Sequence, residues 1–168
     1  MRTTSARLCA GVAAVALLGL AGCGGTDPQQ AKAAHGLSRE LQGQHLTAKD
    51  ANCISKEWVD RTGTDRLVQS GVLTKQLQAN PHNKTRPSKD VVVGFVDAYF
   101  DCVDYGRLEA QKFDAARPNL INKDRFAACA NEINRSDAKQ AMVDDLLGKQ
   151  TGVATSVNHQ LISCAVGK

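Results

Sequence analysis

Hydrophobic residues recur at helical spacing through most of the chain after residue 47. Four of them precede Cys102 by 11, 7, 3 and 2 residues, and four others precede Cys164 by the same offsets. The first set is Val91, Phe95, Tyr99 and Phe100, and the second is Val153, Val157, Leu161 and Ile162. Because i, i+4, i+8 spacing places side chains on one helical face, both segments are predicted to be helices. The shared offsets also indicate a weak internal repeat.

Capping and breaking residues divide the rest of the chain into further helices. Thr47 begins a segment that resembles a capping box, and Gly63 ends it. Residues 80–89 hold two prolines and no apolar residue, which predicts a loop. The predicted helices cover 47–63, 64–71, 89–104, 107–116, 123–134, 137–147 and 153–165, with Ser88, Asn122 and Ser136 as caps and Gly106 and Gly148 at helix ends. Aromatic residues make up only 4% of the chain, which disfavours a β-sandwich, so the predicted fold class is all-α, a small helical bundle.

The N-terminus has the pattern of a targeting segment. Arg2 and Arg7 precede an uncharged apolar stretch from Leu8 to Leu20, whose helix would span about 20 Å and fall short of a bilayer core. The sequence Leu20-Ala21-Gly22-Cys23 resembles the bacterial lipobox. That resemblance implies cleavage before Cys23 and diacylation of Cys23, and two acyl chains give stable anchorage. The alternative is an ordinary secretory signal that leaves Cys23 as a thiol.

These observations predict three regions. Residues 1–22 are a lipoprotein signal peptide, 23–45 a lipidated N-terminus with a flexible tether, and 46–168 a helical, disulfide-stapled domain. The tether is predicted because residues 24–36 contain almost no large hydrophobic side chain that could offset the entropy of ordering.

Four cysteines lie within the predicted domain: Cys53, Cys102, Cys129 and Cys164. An even number in an oxidising compartment favours two disulfides. Each half of the repeat begins with one Cys-bearing helix and closes with another, which favours the pairs Cys53–Cys102 and Cys129–Cys164. Free thiols and pairs that cross between the halves are the alternatives. The domain is thus predicted to consist of two degenerate Cys-bearing halves, each closed by one disulfide.

The mature part is similar to small helical domains with two cysteine pairs in actinobacterial lipoproteins and secreted proteins. The matching segments are Asp65-Arg66-Leu67-Val68 with Gly71, then Asp101-Cys102-Val103-Asp104, followed by Cys129 and Cys164. The resemblance spans about residues 46–167. It implies an architecture and no particular activity.

Charge argues against a nucleic-acid partner. The chain carries 21 basic and 17 acidic residues, a formal charge of +4. Without Arg2 and Arg7 of the signal segment, 19 basic residues face 17 acidic ones. A domain so close to neutral lacks the basic surface that phosphate backbones require.

Catalytic motifs are absent from the sequence: it contains no GxSxG, HExxH, GxxxxGK[ST] or GxGxxG. We therefore predict no enzymatic activity, no catalytic residue, no metal site and no cofactor. The clearest polar cluster is Asp97, Asp101 and Asp104, whose i, i+4, i+7 spacing places them on one helical face. This face could bind a cation or a basic partner, or be neutralised by nearby Arg and Lys residues.

The predicted function is that of a non-enzymatic binding or interaction module on the extracytoplasmic face of the cell membrane. Its expected partners are the lipid bilayer, through acylated Cys23, and an envelope protein or polymer. One alternative is a carrier that holds a small apolar ligand between helices, which requires a cavity larger than about 300 Å³. An envelope hydrolase is the less favoured alternative.

Overall fold

A computed structural model describes residues 27–42, 46–83 and 85–167, and these residues form eight α-helices. The helices are α1 (Pro28–Gln42), α2 (Ala48–Thr62), α3 (Thr64–Gln69), α4 (Lys89–Cys102), α5 (Tyr105–Ala116), α6 (Lys123–Asn131), α7 (Arg135–Leu146) and α8 (Gly152–Val166). The all-α fold class is confirmed. The predicted signal peptide and the lipidated Cys23 lie outside the described residues.

The helices divide into two halves of similar construction. In the first half α1 packs along α2, and in the second half α5 packs along α6. The second and fourth helices of each half are joined by a disulfide, Cys53–Cys102 with 5.7 Å between Cα atoms and Cys129–Cys164 with 5.6 Å. The within-half pairing is therefore confirmed. In the chain-entropy model, cross-links at sequence separations of 49 and 35 each destabilise the unfolded chain by about 4 kcal/mol.

Helix α1 shows that the predicted flexible tether is wrong for residues 28–42. Asp27 caps the helix by accepting a hydrogen bond from the Gln29 backbone N–H at 2.9 Å. Ala33, Leu37 and Leu41 follow at i, i+4, i+8 spacing and are buried in the core. Burial of this apolar face offsets the entropy lost when the segment becomes ordered. The folded domain thus includes residues 28–42 and does not start at residue 46.

Two predicted helix boundaries also change. Asn134, rather than Ser136, caps α7, because its side chain accepts hydrogen bonds from two backbone N–H groups. Gly106 lies inside α5 and not beyond the end of α4. A Cβ atom at Gly106 would clash with the Ala127 carbonyl oxygen, so the glycine permits the close approach of α5 and α6. Thr47 and Asn122 cap α2 and α6 as predicted.

A hydrophobic core extends through both halves. Ile54, Leu67 and Val96 of the first half belong to the same buried cluster as Val143 and Val157 of the second. Helix α4 packs against α7 where the halves meet. A smaller cluster surrounds Phe126 and Ala130 beside the second disulfide. This arrangement fixes α4 between α2 and α7, which determines what its polar and apolar faces can contact.

Candidate functional site

The predicted acidic face of α4 is engaged by basic residues of the chain itself. Asp97 forms an ion pair with Lys139 at 2.6 Å. Asp101 contacts Arg61 of α2 at 2.7 Å and Arg135 of α7 at 2.6 Å. The hydrogen bond from Arg61 holds the pKa of the Asp101 carboxyl below its usual value. These two carboxylates therefore join α4 to its neighbours on both sides.

The third member of the acidic set has a different role. The Asp104 carboxylate caps α5 by accepting a hydrogen bond from the Arg107 backbone N–H at 2.9 Å. It also accepts one from the Asn131 side chain of α6 at 3.0 Å. The backbone hydrogen bond from Arg107 lowers the pKa of Asp104. Because α4 ends at Cys102, Asp104 does not share its helical face, and that part of the prediction is wrong. For Asp97 and Asp101 the arrangement matches the alternative in which nearby Arg and Lys residues neutralise the carboxylates.

The described part of the chain was also searched for a metal site, a membrane span and a second cavity. There, His, Cys, Asp and Glu side chains form no group of three that could hold a metal ion. Every helix of residues 27–42, 46–83 and 85–167 is also too short or too polar to cross a bilayer. A hollow of about 520 Å³ between α5, α7 and α8 is lined by a mixture of apolar, polar and charged side chains. The charged ones are Glu109, Lys112, Asp145 and Lys149. One of these, Lys112, is already paired with Glu109 at 2.7 Å.

An apolar groove of about 420 Å³ lies beside α1, α2, the start of α4 and the segment that precedes α4. We call it the apolar groove. It is lined by Leu37, Glu40 and Leu41 of α1, Trp58 of α2, Val91, Val92 and Phe95 of α4, Leu146 of α7, and Val72, Ala79, Asn80, Pro81, Asn83, Thr85 and Pro87 of the connecting segment. Most of these side chains are apolar, so water in the groove has few hydrogen-bonding partners.

Trp58 and Phe95 are the aromatic residues of the groove. Their rings meet edge to face, with centroids 4.9 Å apart. The Trp58 indole N–H donates to the Val91 carbonyl oxygen at 3.0 Å, which satisfies its one polar group. The disulfide between Cys53 and Cys102 joins the same two helices that carry these rings. The aromatic part of the groove is thus held by covalent and hydrogen-bonded constraints.

Backbone contacts hold the connecting segment in place as one wall of the groove. Leu73 and Ala79 form an isolated antiparallel bridge, which closes a turn over residues 73–79. The Asn83 side chain donates to the Ser70 carbonyl oxygen at 3.0 Å and accepts from the Thr85 backbone N–H at 2.9 Å. These hydrogen bonds give the wall a defined position without a helix or an extended sheet.

The groove was missed by reasoning from the sequence because one of its walls was assigned to the tether. The apolar spacing of Ala33, Leu37 and Leu41, preceded by Asp27-Pro28, is a helix signal that could have revealed α1. The remaining walls come from segments far apart in the chain, such as Val72 and Leu146. Nothing in their local sequence indicates that they meet.

Comparison of the chain with protein-family models, with curated proteins and with solved structures gives no match.

Proposed function

We propose that this protein is a non-enzymatic binding module of the cell envelope, and that the apolar groove holds a small apolar ligand. The observation that carries the proposal is the groove itself. Its volume of about 420 Å³ lies within the range of roughly 300–1,000 Å³ that is usual for small-molecule sites. This favours the ligand-holding alternative over a general interaction surface.

The chemistry of the groove supports an apolar ligand. Each Å² of apolar surface removed from water is favourable by about 25 cal/mol, and the aromatic side chains of Trp58 and Phe95 form part of the apolar lining. The indole N–H of Trp58 and the side-chain amide of Asn83 are already bonded within the protein. Binding an apolar molecule therefore leaves neither of these polar groups newly unpaired.

The membrane anchor is the second part of the proposal. Its support is the likeness of Leu20-Ala21-Gly22-Cys23 to a lipobox. Helix α1 starts at Pro28, and the five residue steps from Cys23 to Pro28 can span at most about 18 Å. An acylated Cys23 would therefore keep the folded domain close to the bilayer on its extracytoplasmic face.

The groove can be tested with N-phenylnaphthylamine, a neutral apolar probe whose fluorescence rises in apolar surroundings. Trp58 is the only tryptophan of the chain and lines the groove, so its emission provides an independent signal. We expect saturable binding of the probe, with a matching change in Trp58 emission.

A pair of variants tests whether the probe binds in the apolar groove. Leu146 lines it and is 44% exposed, whereas Ile162 of α8 is 55% exposed and is not among its lining residues. Leu146→Gln is expected to weaken probe binding about fivefold, which corresponds to about 1 kcal/mol. Ile162→Gln is the matched control and should leave binding unchanged. Equal effects of the two substitutions, or no saturable binding by the wild type, would contradict the proposal.

A further inference from the structure

Glu40 is the charged residue among the described residues that line the apolar groove. It lies in the last turn of α1, next to Leu41, and its side chain is exposed. Ion pairs between described residues use other carboxylates, such as Asp97 and Asp101. A carboxylate at the edge of an apolar site attracts a positive charge and repels a negative one.

The C-terminal end of α1 adds to the negative potential of the Glu40 carboxylate. The C-terminus of a helix carries a partial negative charge equivalent to about half an elementary charge. Leu41 and Glu40 both line the groove from this end of the helix. The helix terminus and the carboxylate contribute the same sign of potential. Arg39, the basic residue in the same turn, is not among the residues that line the groove.

The cation of the connecting segment that lies next to a lining residue, Arg86, bonds to α7 and does not line the groove. Arg86 follows the lining residue Thr85, but its guanidinium donates to the Leu147 carbonyl oxygen at the end of α7, at 3.1 Å. The same guanidinium lies against Gly148, where an added Cβ atom would be 2.8 Å from a guanidinium nitrogen. Arg86 thus caps the C-terminus of α7.

We infer that the apolar groove selects ligands whose apolar body ends in a cationic group such as a primary ammonium, with Glu40 as the counter-charge. This inference rests on the proposed function, because it requires a ligand in the groove. The apolar body contacts the Trp58 and Phe95 side, and the ammonium lies at the end of α1.

Three probes with the same tail and different ends can test this selection: decylammonium, decanol and decanoate, each kept below its critical micelle concentration. Their affinities are measured by displacement of N-phenylnaphthylamine and by Trp58 emission at low ionic strength. We expect decylammonium to bind about tenfold more tightly than decanoate, with decanol between them. Added salt should reduce this ratio, since part of the attraction is screened.

Two variants assign the preference to Glu40. Glu40→Gln is expected to reduce the ratio of decylammonium to decanoate affinity to about twofold or less. Glu132→Gln removes the same charge from an exposed position outside the groove and should leave the ratio near its wild-type value. The control separates a local contact from the effect of overall charge.

The outcomes distinguish this inference from the proposed function. If the wild type binds all three probes equally, and Leu146→Gln weakens all of them, the groove is a ligand site without the inferred selectivity. If the preference persists in Glu40→Gln, Glu40 is not the counter-charge and the inference is wrong. If no probe binds, the proposed function fails, and this inference fails with it.

Discussion

Substitution of Gly36 by alanine tests whether α1 is docked as the structure describes. Gly36 lies near the middle of α1 and faces the turn at residues 77–79. A Cβ atom at this position would stand 2.8 Å from the Leu77 carbonyl oxygen and 3.2 Å from the Gln78 Cα atom. Both neighbours are backbone atoms, so no side chain can rotate away. Leu77 already has a positive φ of 62°, which further restricts how the turn can adjust.

Two opposing contributions determine whether Gly36→Ala raises or lowers the free energy of unfolding. In an isolated helix, Gly→Ala is stabilising by about 1 kcal/mol. Overpacking against a well-ordered neighbour destabilises by about 1–3 kcal/mol. We expect the steric contribution to dominate, so that Gly36→Ala lowers the free energy of unfolding by about 1 kcal/mol. For a domain of this size, that corresponds to a Tm lower by about 2–4 °C.

Gly152 provides a matched control within the same chain. It is the first residue of α8, and a Cβ atom there would meet nothing within 4 Å. Gly152→Ala should therefore be neutral or stabilising by up to about 0.5 kcal/mol. The assay is thermal unfolding of the oxidised protein, followed by circular dichroism and calorimetry. A higher Tm for Gly36→Ala would refute the docked position of α1 and would favour a free helix or tether at residues 28–42.

Two further predictions concern the acidic face and the anchor. Asp101→Asn should lower stability at neutral pH by at most about 1 kcal/mol, because its ion pairs are partly exposed. The pKa of Asp101 is lowered from 3.8 in the folded protein, so its contribution is present above that value and is lost as the pH falls through the folded pKa. Denaturant titrations should show the two proteins converging in acid, and a constant difference down to the lowest pH would contradict this assignment. Mass spectrometry of membrane-extracted protein should find an acylated N-terminal Cys23, and an unmodified Cys23 would overturn the anchor.

Local sequence signals predicted most of the helices correctly. Thr47 and Asn122 were identified as caps because a capping side chain bonds to backbone N–H groups only two or three residues away. The pairing of Cys53 with Cys102 was also accessible, since a shared pattern of apolar offsets before Cys102 and Cys164 indicated two equivalent halves. The caps can be recognised because their partners lie within one turn of chain, whereas the cysteine pairing was inferred from the repeat, since Cys53 and Cys102 are separated by 49 residues.

The acidic residues of α4 show that a correctly predicted helical face does not reveal what its side chains bind. The spacing of Asp97 and Asp101 correctly predicted a shared helical face. It did not specify their partners, because Lys139 and Arg135 lie 42 and 34 residues further along the chain. Only the packing of α4 against α7 brings the opposite charges together and makes these carboxylates part of the contact between the halves.

The sequence by itself determined the helical class and most helix limits and favoured the cysteine pairing, because these depend on periodicity, capping and repeat spacing. The tertiary structure decided that α1 belongs to the domain and that an apolar groove exists beside it. The physical reason is that burial is a property of the assembled chain. Leu37 and Leu41 stabilise α1 only when α2 and the turn at residues 73–79 are in place, and the groove is the space that those elements leave unfilled.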